Sequence, residues 1–198
     1  MGDKKKDIEL GVQKTICDVK RVSRTKVYEG RVVTVYRDHM DVSGHEADWD
    51  FIHHDGAAAV VAVDDDGKIL MVRQYRNALD RYTIELPAGK VDSIDESRRT
   101  CAFRELREET GYTADSEDML EHLITVDTTV ALCDEEIEIY LARNLKKVVQ
   151  DLDDDERIDV LRFDVDELLD MIYRHEIKDS KTVAGIYAYA LKYKEKSA

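Results

Sequence analysis

Glu85–Tyr112, ELPAGKVDSIDESRRTCAFRELREETGY, decides how the rest of the chain is read. It contains the chain's one proline, Pro87, directly before Ala88-Gly89, so a turn is expected after the short run Thr83–Leu86. A helical pattern follows and stops at Glu-Glu-Thr-Gly, where Gly111 accepts the left-handed backbone of a helix C-cap. On a helix advancing about 100° per residue, Glu105 and Glu109 stand one turn apart and Glu108 flanks them. Ala102, Phe103 and Leu106 fall on another side and supply the packing face. Like charges at this spacing repel by roughly 0.2–0.5 kcal/mol per pair, and a cation bound between them reverses that sign. Magnesium suits three carboxylates with substrate phosphates completing the shell, and manganese is the alternative. The competing reading is a solvated acidic face, with Arg104 and Arg107 in surface pairs. Ser93–Glu96 fits the capping-box pattern at the helix start, which would give Glu96 a structural task.

Upstream, Ala57–Val63 is a nearly continuous apolar run and reads as a central strand. Asp64–Gly67 is a hairpin turn and Lys68–Arg73 the returning strand. Gln74-Tyr75-Arg76 and a polar loop, Asn77–Arg81, then lead into the opening stretch. Residues 15–54 read as a small antiparallel sheet made from Val19–Val22, Lys26–Tyr28, Arg31–Tyr36 and Ala47–Ile52. Downstream, Leu120–Thr125 and Glu136–Ala142 are expected strands, Gln150–Glu156 (QDLDDDE) an acidic loop, and Arg157–Phe163 a last strand. Asp164 is placed to cap a helix over Val165–Tyr173, and Asp179 or Ser180 a second helix through Lys192. Strands mixed with helices and no internal repeat make the fold class α/β or α+β, a sandwich. The expected organisation is a flexible N-terminus at 1–14, a β subdomain at 15–54 and the main domain at 55–198.

Composition bounds the function. The 198 residues are 43% hydrophobic and 37% charged, enough for a core under a highly charged surface. A net charge of −14 argues against a nucleic-acid duplex as the main partner, since phosphate backbones need a basic footprint. An anionic small-molecule substrate must be met by a divalent metal or by local arginines. No apolar run approaches the roughly 18 residues of a membrane span. The N-terminus MGDKKKDIEL lacks the apolar core of a signal peptide, and Lys6 stands where myristoylation prefers Ser or Thr. The expectation is a soluble, cytoplasmic protein that uses no membrane. Cys17, Cys101 and Cys133 are scattered and odd in number, so they read as small buried hydrophobes rather than a disulfide or zinc set.

Gly89, Glu96, Arg104-Glu105-Leu106, Glu108-Glu109 and Gly111-Tyr112 together resemble the Nudix box, G-x5-E-x7-R-E-U-x-E-E-x-G-U with U apolar. From Glu96 onward the match is complete. The departure is a gap of six residues, not five, between Gly89 and Glu96, which reads as a loop insertion because loops absorb insertions. Val72–Arg76 (VRQYR) and Glu85–Gly89 (ELPAG) are similar to the ADP-ribose pyrophosphatase group of this superfamily, as are the strands before them. The resemblance covers about residues 15 to 192. It implies a Nudix α/β/α sandwich with a mixed sheet, preceded by a small N-terminal antiparallel sheet that builds a homodimer interface and helps enclose the substrate.

The site residues follow from that resemblance. Glu105, Glu108, Glu109 and the Ala88 carbonyl hold the metal, Arg104 orients the glutamates, and Gly89, Glu96 and Gly111 keep the motif in shape. A glutamate on a late acidic loop serves as general base, which places Glu156 in that role, with the solvated loop as the plainer alternative; Glu135 is the next candidate. Glu156, Glu108 and Arg104 form the catalytic group. Arg73, Arg76, Glu85, Trp49 and Glu135 are the candidate substrate contacts. Arg73 and Arg76 read equally as strand-end surface arginines, and Trp49 and Phe51 as core residues. The group's Pro-Gly turn before Asp134-Glu135 is replaced by Val130-Ala131, which bears on the sugar side of the substrate. The implied reaction is magnesium-dependent hydrolysis of ADP-ribose to AMP and ribose 5-phosphate. GDP-mannose or ADP-glucose hydrolysis is the nearest alternative. A non-catalytic nucleotide sensor is disfavoured by the intact glutamates, and RNA decapping by the acidic charge.

Overall fold

The computed structural model describes residues 18–193 except Ile94 and Asp155. The expected flexible tail at 1–14, and Cys17, lie outside the described residues. By packing, the chain divides into two compact units, 1–52 and 53–198.

The first unit is a three-stranded sheet of β1 (Val19–Glu29), β2 (Thr34–Val42) and β3 (His45–His53), in that order, with β1 and β2 antiparallel. The two short runs Val19–Val22 and Lys26–Tyr28 are one strand. Register shifts at Arg21/Ser23 and Lys26/Tyr28 absorb the polar residues that made them look separate. The run expected at Arg31–Tyr36 starts only at Thr34, because Gly30 N–H closes a turn on the Val33 carbonyl, and it continues to Val42. Asp38 is buried and accepts both Arg24 Nε and Nη2 at 2.6 Å. The same guanidinium lies 3.9 Å over the Phe51 ring, which stacks on Tyr36. Trp49 is not a core residue: it is 47% exposed.

The second unit contains β4 (Ala57–Val63), β5 (Ile69–Arg76), β6 (Arg81–Glu85), β7 (Ala88–Lys90), α1 (Arg98–Thr110), β8 (Tyr112–Thr113) and β9 (Glu121–Asp127). It continues through β10 (Glu136–Ala142), β11 (Lys146–Lys147), β12 (Ile158–Phe163), α2 (Val165–Tyr173) and α3 (Ser180–Tyr193). Seven strands form one mixed sheet, β12-β5-β4-β10-β9 with β6 on β5 and β7 on β4. The β4–β10 pair is parallel, and β8 and β11 make a separate small ladder. The apolar run of β4 is buried on both faces, as expected of a central strand. Ala58, Val60 and Ala62 pack with Cys101, Ala102 and Leu106 of α1. Ala57, Ala59, Val61 and Val63 pack with Leu168 and Ile172 of α2 and Ile186 of α3. Helices on both faces of a mixed sheet give the expected α/β/α sandwich. Each fully buried aliphatic side chain contributes about 1.5–3 kcal/mol of burial.

One topological detail positions the site. β4 and β5 pair over only two residue pairs, Ala62↔Leu70 and Val63↔Ile69. Beyond them the strands part: β6 takes β5, and β7 takes β4. The segment expected as a plain turn after Pro87 is therefore the short strand β7, seated at the split. Pro87 keeps its carbonyl for the Val60 N–H at 2.9 Å, and the Leu86 N–H bonds Thr182 Oγ1 at 2.9 Å.

Candidate active site

Helix α1 begins four residues later than the capping-box pattern placed it. Ser97 is the N-cap and accepts the Thr100 N–H at 3.0 Å, whereas Ser93 only closes a turn from the Glu96 N–H. The extra residue between Gly89 and Glu96 is thus carried by the loop before Ser97, and α1 keeps its register. Glu96 accepts the Asp92 N–H at 2.7 Å and Arg104 Nε at 3.0 Å. Burial works against its charge, but Arg104 and the Asp92 N–H hold its carboxyl below the usual range. At the other end Gly111 has φ 67° and caps the helix as expected.

Arg104 ties the acidic face together. Besides Glu96, its Nη1 reaches Glu105 at 2.6 Å and Glu108 at 3.1 Å, and its Nη2 reaches the Lys90 carbonyl at 3.1 Å. Glu105 lies directly over β7. A Cβ added to Gly89 would meet its carboxylate oxygen at 1.9 Å, so any larger residue there would push the Glu105 carboxylate out of this position. Glu109 is 3% exposed and accepts the Ala88 N–H at 2.8 Å. Among the described residues no three carboxylates, imidazoles or thiols stand in a ready ligand geometry. The reason is visible in the bonding: Arg104 draws Glu105 and Glu108, and the Ala88 amide draws Glu109.

Desolvation dominates the electrostatics of the half-buried Glu105 and the buried Glu109. Burial pushes Glu105 up to about 7 despite Arg104, and pushes Glu109 up to about 8, with the Glu105 charge adding to it. The charge of Glu156 raises both, which places that glutamate beside them. The acidic loop is pinned to the end of α1 by Gln150 Nε2 to the Glu109 carbonyl, 2.6 Å, and by Asp151 N–H to the Glu108 carbonyl, 3.0 Å. Ala88, Glu105, Glu108, Asp151, Asp153 and Glu156 line a common cavity of about 370 Å3. Carboxylate and carbonyl oxygens dominate this wall, with Arg104 and Lys90 beside them, and oxygen donors of this kind fit a hard divalent cation.

A second cavity, of about 590 Å3, is walled by Arg76, Thr83, Glu85, Thr128, Glu135 and Lys181 among others. A smaller one of about 160 Å3 shares Arg76, Glu135 and Lys181 with it, and Ala88, Gly89 and Lys90 with the acidic cavity. The three form a chain of adjoining spaces along the split between β6 and β7. Glu85 is also 3% exposed, but its surroundings are the opposite of those of Glu109. Burial alone would raise its pKa; hydrogen bonds from Arg76 and the charge of Lys181 outweigh that and bring it to about 2. Arg76 binds it through Nε at 2.8 Å and Nη2 at 2.7 Å, Thr83 Oγ1 at 2.6 Å, and Lys181 Nζ directly.

Of the residues expected at the substrate, Arg76, Glu85 and Glu135 line this groove. Glu135 accepts Thr128 Oγ1 at 2.6 Å, and the 128–134 loop closes on the Thr129 carbonyl with Val130 exposed. Arg73 goes elsewhere: it pairs with Asp159 at 3.0 Å and lies 4.1 Å over the Tyr82 ring. Arg76 is three positions on from Arg73, an odd offset that on a strand means opposite faces, so the sequence itself allowed only one of them at the site. Trp49 belongs to the first unit. The groove residues missed from sequence are His54, Thr83, Thr128 and Lys181. Lys181 lies 96 positions beyond Glu85, and a lysine after a helix cap carries no local signal. The ring nitrogen of His54 accepts the Gly56 N–H at 2.9 Å and lies 3.6 Å from Glu135.

Comparison with known proteins agrees with this geometry. The family model described as the NUDIX domain matches residues 53–185. The methanol dehydrogenase activator of Bacillus methanolicus is 37% identical over 170 residues, 84% of this chain and 90% of that protein. The ADP-ribose pyrophosphatase of Bacillus subtilis strain 168 is 34% identical over 177 residues, 88% of this chain and 91% of that protein. A crystal structure of an ADP compounds hydrolase superposes with a TM-score of 0.79 over 92% of this chain and 97% of its own; at 20% identity this is a likeness of fold. With the box glutamates, the glycine beneath Glu105 and the α/β/α sandwich in place, the chain belongs to the Nudix hydrolase family.

Proposed function

We propose that the chain hydrolyses the pyrophosphate bond of ADP-ribose, giving AMP and ribose 5-phosphate. The observation that carries this reading is the pairing of Glu105 with the buried Glu109, both pushed up by desolvation even with Arg104 bonded to Glu105, at the end of a groove that continues past Arg76 and Glu85. The ADP-ribose pyrophosphatase relative supports the choice of substrate. Hydrolysis of another nucleoside diphosphate sugar, such as GDP-mannose or ADP-glucose, is the neighbouring reading, and the Val130-Ala131 loop beside the groove is the feature that bears on it.

Glu105, Glu108, Glu109 and the Ala88 carbonyl would hold magnesium, or manganese in its place. When bound, such a cation supplies positive charge to the pyrophosphate and lowers the pKa of water. The chain's own groups do the rest. Arg104 and Glu96 keep the carboxylates in place, and Gly89 leaves room for Glu105. Arg76 offers positive charge to the anionic substrate along the groove. Glu156 takes the proton of the attacking water from its position beside Glu105 and Glu109. The small sheet, with Val19, Val22, Val27, Tyr28 and Trp49 exposed, supports self-association into a homodimer, and sedimentation at several concentrations tests that. No helix among the described residues is long and apolar enough to cross a membrane. The substrate assignment is tested by offering ADP-ribose, ADP-glucose and GDP-mannose side by side with magnesium. The highest kcat/KM is expected for ADP-ribose, and a clear preference for either of the others would move the assignment.

A further inference from the structure

Arg76 reaches the groove already paired. Its Nε and Nη2 both bond the Glu85 carboxylate, and in a simple two-member pair those charges cancel and leave an anionic ligand little to bind. Here the carboxylate is shared. Lys181 is 8% exposed and comes from the first turn of α3, and its Nζ bonds the same oxygen, Oε2, that Arg76 Nη2 uses. Lys181 Nζ also contacts Asp179 at 2.9 Å. That carboxylate is itself engaged in capping α3, accepting the Thr182 N–H at 3.1 Å and Thr182 Oγ1 at 2.6 Å. Thr182 in turn receives the Leu86 N–H, next to Glu85, which ties the start of α3 to the end of β6.

From this arrangement we infer that Lys181 is a positioning residue for the reaction: by sharing Glu85 it keeps Arg76 oriented and its charge available to the diphosphate-bearing substrate. The inference rests on the reading of the groove given above. Lys181 is not placed on the reacting atoms. Both it and Arg76 line the large cavity and the small one that adjoins the acidic end, so a shift of the guanidinium is felt where the substrate passes. The bond is long-range in sequence and buried, so it fixes geometry in a way a surface pair does not. Arginine at this position preserves the charge but not the compact ammonium, and it should serve only in part.

The test is steady-state kinetics with ADP-ribose and magnesium on the wild type, Lys181→Met, Lys181→Arg, Arg76→Ala and the Lys181→Met/Arg76→Ala double variant. Folding is checked by thermal melting. The expected result is a rise in KM of roughly tenfold for Lys181→Met with a much smaller change in kcat, and partial recovery in Lys181→Arg. In the Arg76→Ala background the same substitution should add little, because its effect passes through Arg76. If Lys181→Met does not fold, Lys181→Gln takes its place, since the amide still bonds Glu85 and only the charge is lost. A purely structural lysine would lower the melting temperature and leave KM unchanged, which overturns the inference. So would an equal rise in KM with and without Arg76. Inertness of the wild type toward every nucleoside diphosphate sugar would instead overturn the reading of the site, and this inference with it.

Discussion

Glu85 and Glu109 are equally hidden, each 3% exposed, yet the protein treats them in opposite ways. Glu85 is surrounded by Arg76, Lys181 and Thr83, and its pKa falls to about 2. Glu109 has one backbone amide and other carboxylates near it, with the Arg76 charge too weak there to offset burial, and its pKa climbs to about 8. Burial penalises both; the difference lies in what the fold supplies to offset it. The first is a finished structural network that shapes a groove. The second is a site whose positive neighbours do not offset burial, which costs stability, and in the proposed reading a bound cation would reverse that. On that reading, the contrast separates residues that would hold the substrate's path from residues that would perform the reaction.

The largest effect expected is on catalysis. Glu109→Gln keeps shape and removes charge, and it should lower kcat by roughly 10²–10³-fold, the scale of losing several kcal/mol of charge stabilisation. Its melting temperature should hold or rise at pH 8, because a buried charge has gone. Glu156→Gln should slow turnover by about 10²-fold while leaving cation affinity nearly unchanged. A normal rate in that variant would move the base to another group, Glu135 first.

Glu85→Gln sharpens the comparison from the other side. Removing one partner of a buried ion pair is destabilising by about 3–5 kcal/mol, and leaves Arg76 and Lys181 facing each other. Urea unfolding should show that loss, whereas Glu109→Gln should show none. Equal effects from the two substitutions would break the distinction.

The pH dependence differs in sign. Glu105 and Glu109 have pKa values raised from 4.5 to about 7 and about 8, so the folded protein binds more protons than the unfolded chain between these limits. Without divalent cations, stability therefore falls as pH rises from 4.5 through about 8. Glu85 is lowered from 4.5 to about 2, so its contribution is present above 4.5 and lost as pH falls toward 2. Magnesium should offset the first loss, by about 2.7 kcal/mol at a hundred times its dissociation constant, and leave the second untouched. Chemical denaturation across pH with and without magnesium separates the two.

The two regions were also unequally legible in the sequence. The acidic end was readable because its parts are contiguous: Glu105, Glu108 and Glu109 sit on one helix face, and Gly111 ends that helix. Strands β4 and β10 and helix α2 were placed to the residue, since a buried apolar run, a clean alternation and a capped amphipathic segment are local signals. At α2 the position was right but its cause differs. Asp164 makes no side-chain cap bond and pairs with Lys68 at 3.1 Å instead. The groove end was largely hidden. Glu85 and Arg76 meet on the paired strands β5 and β6, and Lys181 joins them from the first turn of α3, 96 positions beyond Glu85, which no spacing in the chain announces. The same holds for β7, three residues whose strand character comes from β4 beside them, and for Ser97, which won the cap from Ser93 once Glu96 was taken by Arg104.

The most direct measurement is the release of AMP and ribose 5-phosphate from ADP-ribose, with magnesium and with chelator, by the wild type and by Glu109→Gln. The account predicts equal amounts of the two products from the wild type with magnesium, and almost none with chelator or from the folded variant. Undiminished turnover by Glu109→Gln, or by the wild type in chelator, would contradict it.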